Sequence, residues 1–362
     1  MRLAFVSYET VFHRDNETNR RLQTVLELLH ERGHEVHVCC VAFWDSNLDT
    51  FEKDGIVYHG VADSLESGRT FMLRLPFTLW SIGPDIVHTA SEPPGQVHAA
   101  SWGASLARAP LLTEWYGEID PPDEPTTVGI PTGRWYDGAI TKPDRVIAPS
   151  RMVGTWVRER GATNGQVAIL PNPIDLERIS DTPPGANVDV VYARRLDEGA
   201  NLESLLLGLA ELRDRNWNAS ILGDGPHREN YESLTRDLRI DDRVTFVGDI
   251  TLEERIAAYR SAHVFVQTAT ECVYPTELAW ALGAGCIGIV EYHTDSAAHE
   301  LVEGRERGFR TTSEQELADA ILEAGGLDHL TIDDSYAHLG RSKVIDRYLE
   351  LYEELQESNG LL

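Results

Sequence analysis

Two arginines stand where an apolar run turns polar, in Val190-Val191-Tyr192-Ala193-Arg194-Arg195-Leu196-Asp197-Glu198. The run reads as a strand that opens into a loop and then a helix near Asn201. A guanidinium presents N–H donors in a fixed fork, and the first amides of a helix are unpaired. Arg195, with Arg194 beside it, therefore suits a diphosphate. Either arginine could instead pair with Asp197 or Glu198. A second strand end enters a helix at Leu222-Gly223-Asp224-Gly225-Pro226. There Gly223 and Gly225 would let backbone approach a ligand closely, or would simply make a tight turn. A third lies in Thr270-Glu271-Cys272-Val273-Tyr274-Pro275-Thr276-Glu277, with Pro275 placed to open a helix. Glu271 and Glu277 would then lie at a strand–helix mouth, where carboxylates accept hydrogen bonds from sugar hydroxyls. Glu277 would equally suit the helix N-terminus on electrostatic grounds alone.

Three such strand ends need a scaffold that brings them to one edge, and the chain supplies the pattern for it. Strand-like runs alternate with amphipathic helical runs from end to end. After a strand over residues 3–8, Leu22, Val25, Leu26 and Leu29 share one face of a helix over about 19–32. Gly33 ends that helix, and strands follow at 35–41, 85–88, 111–114, 145–148 and 167–170. The alternation restarts at 188–193 and continues through 219–222, 244–247, 264–266 and 286–290, closing in a charged helix over about 333–357. The length of 362 residues fits two domains. The expected division is 1–174, a proline-rich linker at 175–187, 188–335, and a C-terminal helix at 336–362 able to return to the first domain. Two consecutive βα series predict an α/β protein: two doubly wound, Rossmann-like domains with parallel sheets, facing across a cleft. Ligands of such sheets bind beyond the carboxyl ends of the strands.

Other patterns carry less. Gly283-Ala284-Gly285-Cys286-Ile287-Gly288 fits G-x-G-x-x-G, but a dinucleotide turn needs a strand before it and a helix after it. Here the order is reversed, so a glycine helix stop entering a buried strand is expected. His34 and His37, and His293 and His299, lack metal-ligand spacing, and no Asp-x-Asp occurs, so no metal site is expected. Cys39, Cys40, Cys272 and Cys286 include no C-x-x-C pair and do not read as a disulfide framework. Residues 1–8 read as a strand rather than a signal peptide, which predicts a cytoplasmic protein.

The formal charge is −27, and of 32 basic residues only Lys53, Lys142 and Lys343 are lysines. Many carboxylates with almost no lysine predict solubility in molar salt, a halophilic surface. No basic footprint for nucleic acid is present. An anionic ligand needs a local positive exception, and at about molar salt, with a screening length near ~3 Å, remote carboxylates hardly oppose it.

Several segments together resemble the GT-B fold retaining glycosyltransferases of family 4, also called glycosyl transferases group 1. Asp144-Arg145-Val146-Ile147-Ala148-Pro149-Ser150 with Ile169-Leu170-Pro171-Asn172-Pro173-Ile174-Asp175 resembles the end of that family's first domain. Arg195-Leu196, residues 221–226, residues 242–248 and Ala281-Leu282-Gly283-Ala284-Gly285 followed by Glu300-Leu301-Val302 resemble its second. The resemblance covers about residues 140–305, with a weaker match over 1–38. It implies a nucleotide diphospho-sugar on the second domain and a glycan, lipid-linked or small-molecule acceptor on the first, with retention, no metal and no cofactor beyond the co-substrate. Arg195 and Glu271 would then be catalytic, with Arg194, Gly223, Gly225 and Glu277 binding the donor. On the acceptor side the corresponding positions hold His13, Glu114 and Tyr116. The family's diphosphate lysine falls on Ala200, its second glutamate on Ala279 or Trp280, and the histidine expected near Tyr116-Gly117 is missing. A catalytically impaired nucleotide-sugar-binding module, or a sugar epimerase of the same architecture, is the alternative. Residues 71–80, Phe-Met-Leu-Arg-Leu-Pro-Phe-Thr-Leu-Trp, read as a core-facing helix broken at Pro76. The resemblance also allows such a segment peripheral contact with a membrane.

Overall fold

A computed structural model describes residues 1–44, 49–116 and 132–360; Gly117 lies outside the described residues. The chain divides into two compact units, Met1–Pro173 with Val344–Leu362, and Ile174–Lys343.

The first unit runs β1 (Arg2–Val6), α1 (Glu17–Glu31), β2 (Glu35–Val41), β3 (Thr50–Lys53), β4 (Ile56–Ala62), α2 (Gly68–Ile82) and β5 (Ile86–Ala90). It continues with α3 (Pro94–Ala107), β6 (Leu111–Glu114), α4 (Thr132–Thr141), β7 (Arg145–Ala148), α5 (Arg151–Glu159) and β8 (Val167–Ile169). Its sheet order is β3-β4-β2-β1-β5-β6-β7-β8, parallel except for the β3–β4 hairpin. In α1 the leucine–valine stripe is buried, and the Asn16 side chain caps the helix by accepting from the Asn19 amide at 2.8 Å. Parallel strands covered on both faces are largely apolar, and β1, β2 and β5 are mostly buried, with Arg2 and Glu35 exposed at the starts of β1 and β2.

The second unit holds α6 (Leu176–Asp181), β9 (Val188–Ala193), α7 (Leu202–Glu211), β10 (Ala219–Leu222), α8 (Arg228–Leu238), β11 (Val244–Gly248), α9 (Leu252–Ser261) and β12 (Ala262–Gln267). It then holds β13 (Glu271–Cys272), α10 (Thr276–Gly283), β14 (Ile287–Glu291), β15 (Asp295–Ser296), β16 (Gly308–Thr311) and α11 (Glu314–Ala324). The main sheet is parallel in the order β11-β10-β9-β12-β14-β16. Gly283 ends α10, Gly285 lies in the turn, and Gly288 falls within β14, helix before strand.

Two expectations are corrected here. Residues 175–187 are not a linker between units but lie within the second. Ile174 pairs with the backbone of Leu339 and Arg341 at 2.9 and 3.0 Å, and Asp175 caps α6 by accepting from the Arg178 amide at 2.9 Å. The last helix is not continuous from 333: a 3₁₀ turn (Asp334–Leu339) precedes α12 (Arg341–Gly360), because extended Gly340 bridges to Ile174. From Val344 onward α12 belongs to the first unit, burying Val344, Ile345, Tyr348, Leu351, Tyr352 and Leu355 in its core.

Candidate functional site

In the second sheet the chain moves outward from β9 through β10 to β11, then crosses back so that β12 lies on the other side of β9. Loops leaving β9 and β12 therefore flank this switch point, and in sheets of this kind the crevice outside the carboxyl edge there is where ligands bind. The β9 loop carries Arg194 and Arg195, and the β12 loop leads through Thr268 and Thr270 to Glu271.

The β9 loop is held against β12. Tyr192 Oη donates to the Ala200 carbonyl at 2.7 Å, and Thr268 Oγ1 to that of Asn201 at 2.7 Å. The Thr270 amide reaches the Gly199 carbonyl at 3.2 Å. Asn201, left-handed at φ 47°, donates from its side chain to the Thr268 carbonyl at 3.0 Å and to Glu291 Oε2 at 3.2 Å. Ala200 is fully buried. The β10 loop packs on the same segment from the other side. A Cβ on Gly223 (φ +112°) would stand 2.2 Å from the Arg194 carbonyl oxygen, and one on Gly225 would stand 2.3 Å from that of Leu196. The two glycines are thus required by the approach of protein backbone to protein backbone. Their amides are also engaged: Gly223 donates to the Gly248 carbonyl at 2.8 Å and Gly225 to Asp224 Oδ1 at 2.7 Å. The close approach expected at these glycines is thus made by the protein's own backbone, as in a tight turn, rather than reserved for a ligand.

Of the two arginines, Arg195 is turned outward, its side chain 73% exposed and its Nε 4.0 Å from Asp197 Oδ2, a contact worth little in water. Arg194 is half-buried and folds toward the β12 loop. A Cβ at Gly199 would lie 3.5 Å from Arg194 Nη2, 3.7 Å from Asp197 Oδ1 and 3.9 Å from Thr270 Oγ1. Arg194 Nε and Asp197 Oδ1 are both buried with no hydrogen-bond partner among the described residues. A buried donor without a partner costs about 1–3 kcal/mol, so Arg194 keeps an unused donor here, with Asp197 close by. Arg194 thus does not point away from the loop, as regular strand alternation would have it.

The two glutamates part company. Glu271 is exposed at the crevice rim, on β13 paired with β15. The Glu277 carboxylate is bound by Arg255 Nη1 and accepts from Tyr259 Oη at 2.5 Å, joining α10 to α9. Its expected role on the donor is corrected accordingly: Arg255 and Tyr259 lie on a neighbouring helix and take both oxygens. Glu277→Gln is expected to lower the thermal midpoint while leaving nucleotide affinity within about twofold; a tenfold affinity loss in calorimetry would return Glu277 to the ligand. Sequence reading did not single out Glu291, took Asn201 only as a helix start, and considered only a metal role for His293. The last has a buried Nε2 without a hydrogen-bond partner among the described residues, 3.6 Å from Glu291 Oε1. Strand ends at 193 and 291 were the available signal for Glu291.

In the first unit the β1 and β5 loops leave the corresponding switch point. His13 lies in the β1 loop, its Nδ1 3.1 Å from the Thr10 amide and its Nε2 buried without a partner among the described residues. Burial lowers its pKa, partly opposed by Glu9. Glu114 and Tyr116, expected on the acceptor side, are instead buried in a polar network. Arg21 Nε binds Glu114 Oε1, and Arg21 Nη2 donates to Tyr348 Oη at 2.7 Å and the Leu170 carbonyl at 2.9 Å. Tyr348 Oη donates to Glu114 at 2.8 Å, and Asn172 Nδ2 to Tyr116 Oη at 2.8 Å. Burial pushes the Glu114 carboxyl up, but Arg21, with His88 and Tyr348, outweighs it and holds the pKa at about 2.

Among the described residues no three His, Cys, Asp or Glu are grouped to hold a metal ion. An open hollow of about 520 Å³ lies elsewhere in the second unit, lined by Asp175, Glu177, Asp181 and Glu253 with Arg178, which is already paired with Glu253. Its carboxylates make it a poor place for an anion.

Known proteins share this fold. A glycosyltransferase from Rickettsia africae superposes with a TM-score of 0.76 at 17% identity, over 98% of each chain. HepE of Anabaena, solved with UDP, does so with a TM-score of 0.71 at 16% identity, over 100% of each. The fold is that of a GT-B glycosyltransferase. Two family models, Glycosyltransferase Family 4 over residues 18–178 and Glycosyl transferases group 1 over residues 175–325, adjoin along the chain, and it belongs to this glycosyltransferase family. The alpha-monoglucosyldiacylglycerol synthase of Streptococcus pneumoniae is 20% identical over 352 residues, 87% of this chain and 76% of that enzyme. The lipopolysaccharide 1,6-galactosyltransferase of Escherichia coli is 26% identical over 230 residues, 58% of this chain and 61% of its own length.

Proposed function

We propose that the protein moves a sugar from a nucleotide diphospho-sugar, held at the carboxyl edge of the second sheet, to a glycan, lipid-linked or small-molecule acceptor, with retention and without a metal. The observation that carries this is the pair of arginines at the switch point, one with a buried nitrogen that nothing described satisfies. The UDP bound by HepE supports a nucleoside diphosphate as the leaving group, and the family supports retention and metal independence.

As the glycosidic bond breaks, negative charge gathers on the departing diphosphate. Fixed positive groups in a water-poor crevice stabilise that charge with little reorganisation. Arg194 provides the enclosed charge and Arg195 the mobile, exposed one that can close over the ligand. In a retaining transfer the donor's own phosphate oxygen takes the acceptor proton, so no separate base is needed, and Glu271 at the rim is placed to accept from sugar hydroxyls. Arg195→Ala is expected to cut turnover at least tenfold, about 1.4 kcal/mol of barrier. Unchanged kcat at saturating donor would remove Arg195 from this role. The reading as a whole is tested by incubating the protein with UDP-, GDP- and ADP-sugars and following release of the nucleoside diphosphate. Release, with the product anomer read by NMR, supports a retaining enzyme; tight binding without release supports a binding module.

A further inference from the structure

The helix α2 was expected to face the core and break at Pro76. It does turn one face to the core, but it runs unbroken over Gly68–Ile82, with Pro76 buried. Its neighbour α3 packs alongside so closely that a Cβ on Gly103 would stand 2.5 Å from Leu79 Cδ1 and 3.0 Å from Pro76 Cα. Phe71, Leu75, Leu79 and Ile82 fill the inner face. The outer faces are also apolar. Leu73, Phe77 and Trp80 follow i, i+4, i+7 on α2, and Trp102 and Leu106 follow i, i+4 on α3; these five are 51–73% exposed. Of the eight tryptophans, Trp80 and Trp102 are the two that are exposed.

The charge on this face is as unusual as its polarity. The 15 residues of α2 and the 14 of α3 contain no aspartate or glutamate, although the chain has 59 in 362 residues and would place about five in such a length. The charges present are Arg69 and Arg74 on α2, with Arg108 capping α3, all exposed. No described helix is long and apolar enough to cross a membrane.

We propose that the outer face of α2 and α3 docks on an anionic lipid bilayer, with Phe77, Trp80 and Trp102 entering the headgroup boundary and Arg69, Arg74 and Arg108 meeting lipid phosphates. Apolar patches of this kind mark interaction surfaces, and interfacial helices combine an aromatic and aliphatic face with flanking cations. A second copy of the chain is a poorer occupant. A two-fold contact sets a patch against itself, which would bring these arginines together with no carboxylate on either helix to pair them.

Flotation of the full chain with phosphatidylcholine vesicles, with and without phosphatidylglycerol, tests the proposal. No donor or acceptor is present, so the outcome does not depend on the transfer reaction. Wild-type protein is expected to rise with the phosphatidylglycerol vesicles. Trp80→Ser/Trp102→Ser, with an unchanged thermal midpoint, is expected to bind about tenfold or more weakly. Arg69→Gln/Arg74→Gln is expected to lose binding to the anionic vesicles at low salt but not in molar salt, where such contacts are screened. Wild-type protein that stays at the bottom with both vesicles overturns the proposal. So does a double-tryptophan variant that floats normally, or a dimer in sedimentation that this variant dissolves.

Discussion

Gly223→Ala is expected to abolish most turnover, by about 100-fold, while leaving the fold assembled. The added Cβ would stand 2.2 Å from the Arg194 carbonyl oxygen and 2.9 Å from its carbon, and φ at this position is +112°. Both obstacles are backbone, so no side-chain rotation relieves them, and the left-handed conformation adds strain of about 1–3 kcal/mol. The β10 loop must then draw back from the segment that carries Arg194 and Arg195. Displacing catalytic groups by about 1 Å can cost about 100-fold in rate. Gly165→Ala is the control: a Cβ there meets nothing within 4 Å. Steady-state kinetics with circular dichroism should show a folded, nearly inactive Gly223→Ala and an unaltered Gly165→Ala. Full activity in Gly223→Ala would mean that the loop spacing is irrelevant to the chemistry.

The second large effect is on stability and falls on Arg21 and Glu114. Removing one member of a buried ion pair leaves an uncompensated charge and costs about 3–5 kcal/mol, whereas replacing both with apolar groups costs much less. Arg21→Met and Glu114→Leu should therefore each lower the urea midpoint strongly, and the double variant should recover part of the loss. Simple additivity would show that the pair is not coupled. The pH dependence follows from the same carboxylate. Its folded pKa of about 2 lies below the ordinary 4.5, so the folded state holds the charged form more firmly than the unfolded chain does. That stability is fully present above 4.5 and is lost as pH falls toward about 2. Glu114→Leu should flatten this acid limb, and an unchanged limb would contradict the assignment.

Much of the architecture is legible in the sequence because parallel strands covered on both faces leave apolar runs with sharp polar ends. Those ends locate the loops, and the loops after β9 and β12 are where the crevice lies. What sequence could not give is the partner of each charged group. Glu114 and Glu271 both follow a threonine just after an apolar strand run or its polar end, yet one is buried against Arg21, 93 positions away, and the other faces solvent. Glu277 looks free until α9 brings Arg255 and Tyr259 to it. Arg194 would point away from the loop in a regular strand; the turn after Ala193 redirects it toward Gly199 and Thr270. Pro76 reads as a helix break, but in the structure it is buried inside α2 against Gly103. Proline-rich residues 180–187 read as a linker, although Asp175 and Ile174 had already tied the segment to the second unit.

The proposed transfer requires the arginines after β9 to grip the phosphates rather than the base or sugar. Its most direct test is calorimetric titration of wild-type protein and Arg194→Met with the best-stabilising nucleoside diphosphate among UDP, GDP and ADP, and with the parent nucleoside. The diphosphate should bind wild-type protein far more tightly than the nucleoside, and Arg194→Met should remove at least about tenfold of that advantage while leaving nucleoside affinity unchanged. Equal affinities for diphosphate and nucleoside in the wild type, or an undiminished preference in Arg194→Met, would contradict it.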